Sequence, residues 1–101
     1  MRNLTFNRYQ FLTRKQKKEE GLEEFYCELR RLAQHCQLGT VENTLIRDVF
    51  TANMHEEEIQ KELLKETKTA TDAIELALRM ELSYKNQRFL KSTTNPAGGL
   101  S

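Results

Sequence analysis

Between residues 22 and 36 apolar side chains return every three or four positions: Leu22, Phe25, Tyr26, Leu29, Leu32, Ala33 and Cys36. At about 3.6 residues per turn they fall on one stripe roughly 120° wide, the signature of a helix with one face in a core. Cys27 lies on the opposite, polar side with Glu23, Arg30 and Gln34. Glu19 and Glu20 stand where a helix N-terminus favours negative charge, and Gly39 supplies a left-handed stop. The predicted helix runs from residue 20 to 37 or thereabouts.

Three further helices follow. Thr40 is placed to cap a second one, in which Val41, Leu45, Ile46, Val49, Phe50 and Ala52 cover half the circumference. So wide an arc suits either a central helix buried on two sides or a helix that also meets a partner. Asn53 with Glu56 gives a reciprocal capping pattern for a third helix, with Ile59, Leu63 and Leu64 inward and its charges in solvent. Thr69 with Asp72 caps a fourth, whose small-residue stripe of Ala70, Ala73, Ala77, Met80 and Tyr84 permits close approach, flanked by Ile74, Leu76 and Leu78. The organisation expected is a basic aromatic arm over 1–18, extended or short-helical, a four-helix domain over 19–91, and a flexible tail over 92–101.

A chain of 101 residues supports one domain with a thin core. With 31% charged residues, one proline and no tryptophan it fits a small all-α domain, and an enzyme with a buried cleft is a poor expectation. No apolar run could span a bilayer and no signal-peptide block opens the chain, so an intracellular protein without a membrane partner is expected. Cys27 and Cys36 would lie about 13 Å apart along a helix axis, too far to bridge. His35 and His55 lack the paired spacing of a metal site, and His35 and Cys36 point about 100° apart on a helix, so no metal, cofactor or catalytic residue is predicted.

The net charge of +1 is unevenly spread. Residues 1–18 hold Arg2, Arg8, Arg14, Lys15, Lys17 and Lys18 and no acid, whereas 19–66 hold twelve acids against five bases. Arg14, Lys15, Lys17 and Lys18 are therefore candidate nucleic-acid or assembly contacts. Phe6, Tyr9 and Phe11 interleave with these bases as at a nucleic-acid surface. The preferred reading is an arm whose rings pack on the helical core, which a small domain needs.

The spacing of Gln16, Glu20, Leu22, Phe25 and Leu29 resembles the major homology region of retroviral and retrotransposon capsid proteins. The wider order, "RYQFLTRKQ", "LEEFYCELRRLAQHC", "ENTLIRDVFTANM", "IQKELLKE" and "ATDAIELALRMEL", looks like the gag polyprotein of Ty3/Gypsy-type retrotransposons over residues 6–86. The resemblance implies a structural protein: a small orthogonal four-helix bundle of the capsid C-terminal type that dimerises to link capsomers into a shell around RNA. Host proteins that captured such domains, among them the SCAN dimerisation module, are the nearest rival, which would be nuclear rather than particle-associated in the cytoplasm. An RNA-binding module using the basic arm is the third reading.

Lys17 and Glu28 stand where retroviral versions usually have glycine and arginine, so Arg30 or Arg31 is expected to join the polar network, unless it reduces to Gln16 and Glu20. Gln16 can satisfy backbone groups that the following helix leaves unpaired, and Glu20 can accept bonds in the same turn. A symmetric dimer through the second helix is expected, with Asn43, Ile46, Arg47, Phe50 and Met54 facing the partner and Val41, Leu45 and Ala52 facing the core. A swapped pair, the arm and first helix crossing to the partner, is the alternative.

Overall fold

A computed structural model describes residues 3–66 and 68–93. They form five α-helices and one 3-10 turn: α1 (Leu4–Thr13), α2 (Leu22–Ala33), the 3-10 turn (Gly39–Val41), α3 (Glu42–Asn53), α4 (Glu57–Glu66) and α5 (Ala70–Thr93). No strand occurs among the described residues. The arm takes the short-helical of its two expected forms, with the Asn3 side chain accepting the Phe6 N–H at 3.2 Å as its cap. Of the expected tail, residues 94–101 lie outside the described residues, and α5 runs two positions past Lys91.

The stripe that predicts α2 is the heart of the core. Leu22, Phe25, Leu29, Ala33 and Cys36 are wholly buried, Tyr26 nearly so, and Cys27 is exposed. Glu24 reaches back to the Gly21 N–H at 3.0 Å, which starts the helix where Gly21 is extended. The helix stops at Ala33, sooner than the stripe suggests, because the chain passes through turns to Gln37 and Gly39, both left-handed at φ 51° and 62°. Cys36 is carried inward by these turns instead of by the helix. Thr40 lies inside the 3-10 turn and caps nothing; α3 begins after Val41 without a side-chain cap.

Helix α3 is the centre of the domain, touching α1, α2, α4 and α5. Its Phe50 ring sits 5.7 Å from Phe25 and meets Tyr26 edge-on at 5.5 Å. Ala70, Ala73 and Ala77 are fully buried along α5, so the small-residue stripe does bring that helix close. The Thr69 hydroxyl accepts the Asp72 N–H at 3.0 Å, the cap expected of it.

Three inward assignments are corrected. On α4, Ile59 and Leu63 are buried while Leu64 is 72% exposed, since α5 and α3 cover only one side of that helix. On α1 only Phe11 reaches the core, and Phe6 and Tyr9 project into solvent. On α3 the arc is turned the other way round: Ile46, Phe50 and Met54 are buried, whereas Ala52 and the preceding Val41 are exposed and Leu45 is half-buried.

Candidate functional site

The turn between α1 and α2 is tied together by polar side chains that are largely out of water. Gln16, 7% exposed, donates its amide to the Glu20 carbonyl at 2.8 Å and to Glu56 Oε2 at 3.4 Å, while its Oε1 accepts the His55 N–H at 3.0 Å. Its own N–H bonds the Asn53 carbonyl at 3.1 Å. One glutamine thereby fastens the start of α2 to the α3–α4 junction. Glu20 accepts both arms of the Arg14 guanidinium, at 3.0 and 2.7 Å, and the Lys17 N–H at 3.0 Å. The Arg14 guanidinium also lies over the Phe25 ring, 5.7 Å from its centroid.

The cation of this network is thus Arg14, in place of the expected Arg30 or Arg31. Arg31 is drawn to Glu28 on its own helix, and Arg30 is exposed. The Arg14 guanidinium holds Glu20 below the usual carboxylate range, burial works against it, and the Lys17 N–H adds to the lowering. Leu22, Phe25 and Leu29 continue from this turn straight into the core.

Asn53 does not cap α4. Its amide donates to the Leu12 and Arg14 carbonyls at 3.1 and 2.9 Å, closing the end of α1, and α4 opens from the Glu56 carbonyl, which takes the Gln60 N–H at 2.9 Å. Asn53→Ala frees two carbonyls beside partly buried side chains, and the loss expected is about 1 kcal/mol. A urea titration would show it as a lower midpoint at unchanged slope.

The basic arm is less free than its composition suggests. Arg8 donates to the Cys36 and Gln37 carbonyls at 2.8 and 3.1 Å, and Asn7 to the His35 carbonyl at 3.1 Å. These are the groups left unpaired where α2 ends, at the negative end of its dipole, and they dock α1 there. The Cys36 thiol donates back to the Asn7 carbonyl, and burial pushes its pKa up. With Arg8 and Arg14 engaged, the exposed cations of the arm among the described residues are Lys15, Lys17 and Lys18. Among the described residues no three His, Cys, Asp or Glu side chains are grouped to hold a metal, and no helix is long and apolar enough to cross a membrane.

The five residues expected at a dimer contact are all used within the chain. Ile46, Phe50 and Met54 are core. Asn43 Oδ1 accepts the Ala70 N–H at 3.0 Å, the first residue of α5, and Arg47 donates to the Lys68 carbonyl at 2.7 Å. Asn43 stays exposed and Arg47 half-buried, so the start of α5 engages that edge of α3 without covering it, a long-range placement that the local pattern does not encode. The apolar surface left open is elsewhere. One groove, between α1 and the start of α3, is bordered by Leu12, Leu38, Val41 and Leu45 over Phe11. A second, between α3 and α4, has Ala52, Leu63 and Leu64 along it.

The class these features define is an all-helical domain with a buried polar turn and two open apolar grooves. Comparison of the chain with family models, curated proteins and solved structures finds no match.

Proposed function

We propose that the domain is the self-association unit of a capsid-type structural protein, as the resemblance to Gypsy-type gag implies. Helices α2 to α5 would be the orthogonal bundle, and pairing of two copies would link capsomers into a shell around RNA. What supports the reading is that the residues carrying the resemblance act as one unit: Gln16 and Glu20 tie the turn, and Leu22, Phe25 and Leu29 anchor the helix it opens. A motif built of a solvated charge run would have no reason to join the α1–α2 turn to the α3–α4 junction. The captured, SCAN-like alternative makes the same dimer and differs in what the rest of its protein does.

With the Ile46 and Phe50 edge buried, the two-fold contact is assigned to the groove between α1 and the start of α3. Leu12 and Val41, each about half exposed, would insert into the same groove of the partner, as a self-complementary patch must. Both lie on the surface, so charged replacements should alter stability by no more than about 0.5 kcal/mol. In sedimentation velocity the parent chain should run as a dimer and Leu12→Asp with Val41→Asp as a monomer of undiminished helical circular dichroism. A parent chain that stays monomeric at every concentration would refute the reading, and a double variant that still dimerises would move the face.

A further inference from the structure

Two of the three rings of the arm do not pack on the core. Phe6 and Tyr9 stand 54% and 62% exposed on α1, and only Phe11 is enclosed. A thin core gains most from its aromatic side chains, so two neighbouring rings left in water are not explained by packing within the chain. Phe6 precedes Tyr9 by three residues and Gln10 by four, which places all three on one side of the helix. On that side Tyr9 and Gln10 border a cleft of about 490 Å³ between α1 and α2.

The cleft is cationic. Arg14, Lys15, Lys17 and Arg31 line it against one acid, Glu28. Arg14 is committed to Glu20 and Arg31 to Glu28. Lys15 and Lys17 are exposed, and their ammonium groups have no ion-pair or hydrogen-bond partner among the described residues. Lys17 helps to lower the Glu20 pKa, but that carboxylate is already held by both arms of the Arg14 guanidinium. Two ammonium groups are thus left over beside the rings. Past Lys17 the surface changes sign, since the next cleft sets Lys18 among Glu19, Glu20, Glu24 and Glu28. The cationic surface therefore runs from Lys17 towards α1 and stops short of Lys18.

We propose that the α1–α2 cleft binds single-stranded nucleic acid, with Lys15 and Lys17 on phosphates and the rings of Tyr9 and Phe6 offered to unpaired bases. A single strand presents both chemistries at once: a charge on every phosphate and an apolar face on every base. An acidic peptide would use the lysines and leave the rings idle, and a duplex keeps its base faces stacked inside. The partner carries no sequence code here, because a lysine meets phosphate as a point charge and a ring accepts any base. This goes beyond the self-association reading and does not rest on it. The groove assigned to the two-fold contact shares no lining residue with this cleft, so a monomer and a dimer would bind alike.

Fluorescence anisotropy of a labelled oligouridylate, titrated with the full chain over a range of salt, tests this. The parent should bind at low salt, and Lys15→Gln and Lys17→Gln should each reduce the slope of log affinity against log salt by about 0.7, one phosphate contact on a single strand. Tyr9→Ala should weaken binding about 5- to 150-fold, the loss of one stacked base, at unchanged slope, while Tyr9→Phe retains the affinity. Lys18→Gln, on the acidic side, should change neither. Glu28→Gln removes the one acid of the cleft and frees Arg31, so it should tighten binding, a gain that a misfolded chain cannot imitate. A parent that ignores oligouridylate at low salt overturns the proposal. So does a Lys18→Gln loss equal to that of Lys17→Gln, which would mean diffuse attraction to charge, or a Tyr9→Ala chain that binds as the parent does. Polyglutamate bound as tightly as oligouridylate would assign the cleft to an acidic peptide instead. Each of these leaves the self-association reading standing, because sedimentation of the free chain decides that one separately.

Discussion

Phe50→Ala is expected to lower the unfolding free energy by about 3–5 kcal/mol, the range for emptying a buried aromatic site. Phe50 is wholly enclosed, with Phe25 and Tyr26 against its ring, and it sits on the helix that touches every other helix of the domain. A domain of this size has about 5–15 kcal/mol in total, so the loss removes a large part of it. Phe50→Asp adds the cost of an unpaired buried charge and should leave no cooperative transition. Guanidinium titrations followed by circular dichroism would decide, with Leu64→Ala as a surface control that moves by no more than about 0.5 kcal/mol. The comparison matters for assembly as well. Loss of dimer in a Phe50 variant would report an unfolded chain and not a broken interface. A Phe50→Asp chain that kept its helical signal and became monomeric would return the interface to this edge of α3.

What the sequence made legible follows from which features are local. The α2 stripe is local, and each of its apolar positions is buried or half-buried. The Thr69 cap and the left-handed Gly39 are local, and both occur. The face of α1 was not legible because Phe6, Tyr9 and Phe11 are spread around that helix, so its period selects no side; the side chains of Asn7 and Arg8, bonded to the end of α2, select it. An arc covering half of α3 has two edges, and the one that goes inward depends on where α5 begins, which Asn43 and Arg47 register only once the chain is folded. Arg14 pairs with Glu20 across a turn at a separation of six, outside the helical three and four, so no spacing rule points to it. Asn53 and Glu56 have the composition of a capping box, but Asn53 meets carbonyls some forty positions away instead.

Glu20 provides the test of whether the polar turn holds the domain together. Its side chain and that of Arg14 are 13% and 15% exposed, and the carboxylate takes three hydrogen bonds, two of them from the guanidinium. Glu20→Gln keeps the shape, removes the charge and leaves the guanidinium beside Phe25 poorly matched; a loss of about 1–3 kcal/mol at neutral pH is expected. Glu23→Gln, at an exposed position on α2, should change stability by no more than about 0.5 kcal/mol. The pH dependence separates the charge from the shape. Since Arg14 lowers the folded-state pKa of Glu20, the folded carboxyl holds its proton more weakly than the unfolded one. Its contribution is therefore fully present above the unfolded value, about 4.3. It is lost as pH falls from there through the lower folded value. Urea midpoints of parent and Glu20→Gln should accordingly lie far apart at neutral pH and converge on acidification below that point, while the Glu23→Gln midpoint tracks the parent throughout. A gap that persisted undiminished in acid would mean that Glu20 acts through packing alone, and equal midpoints at neutral pH would mean that the turn does not hold α2 in place.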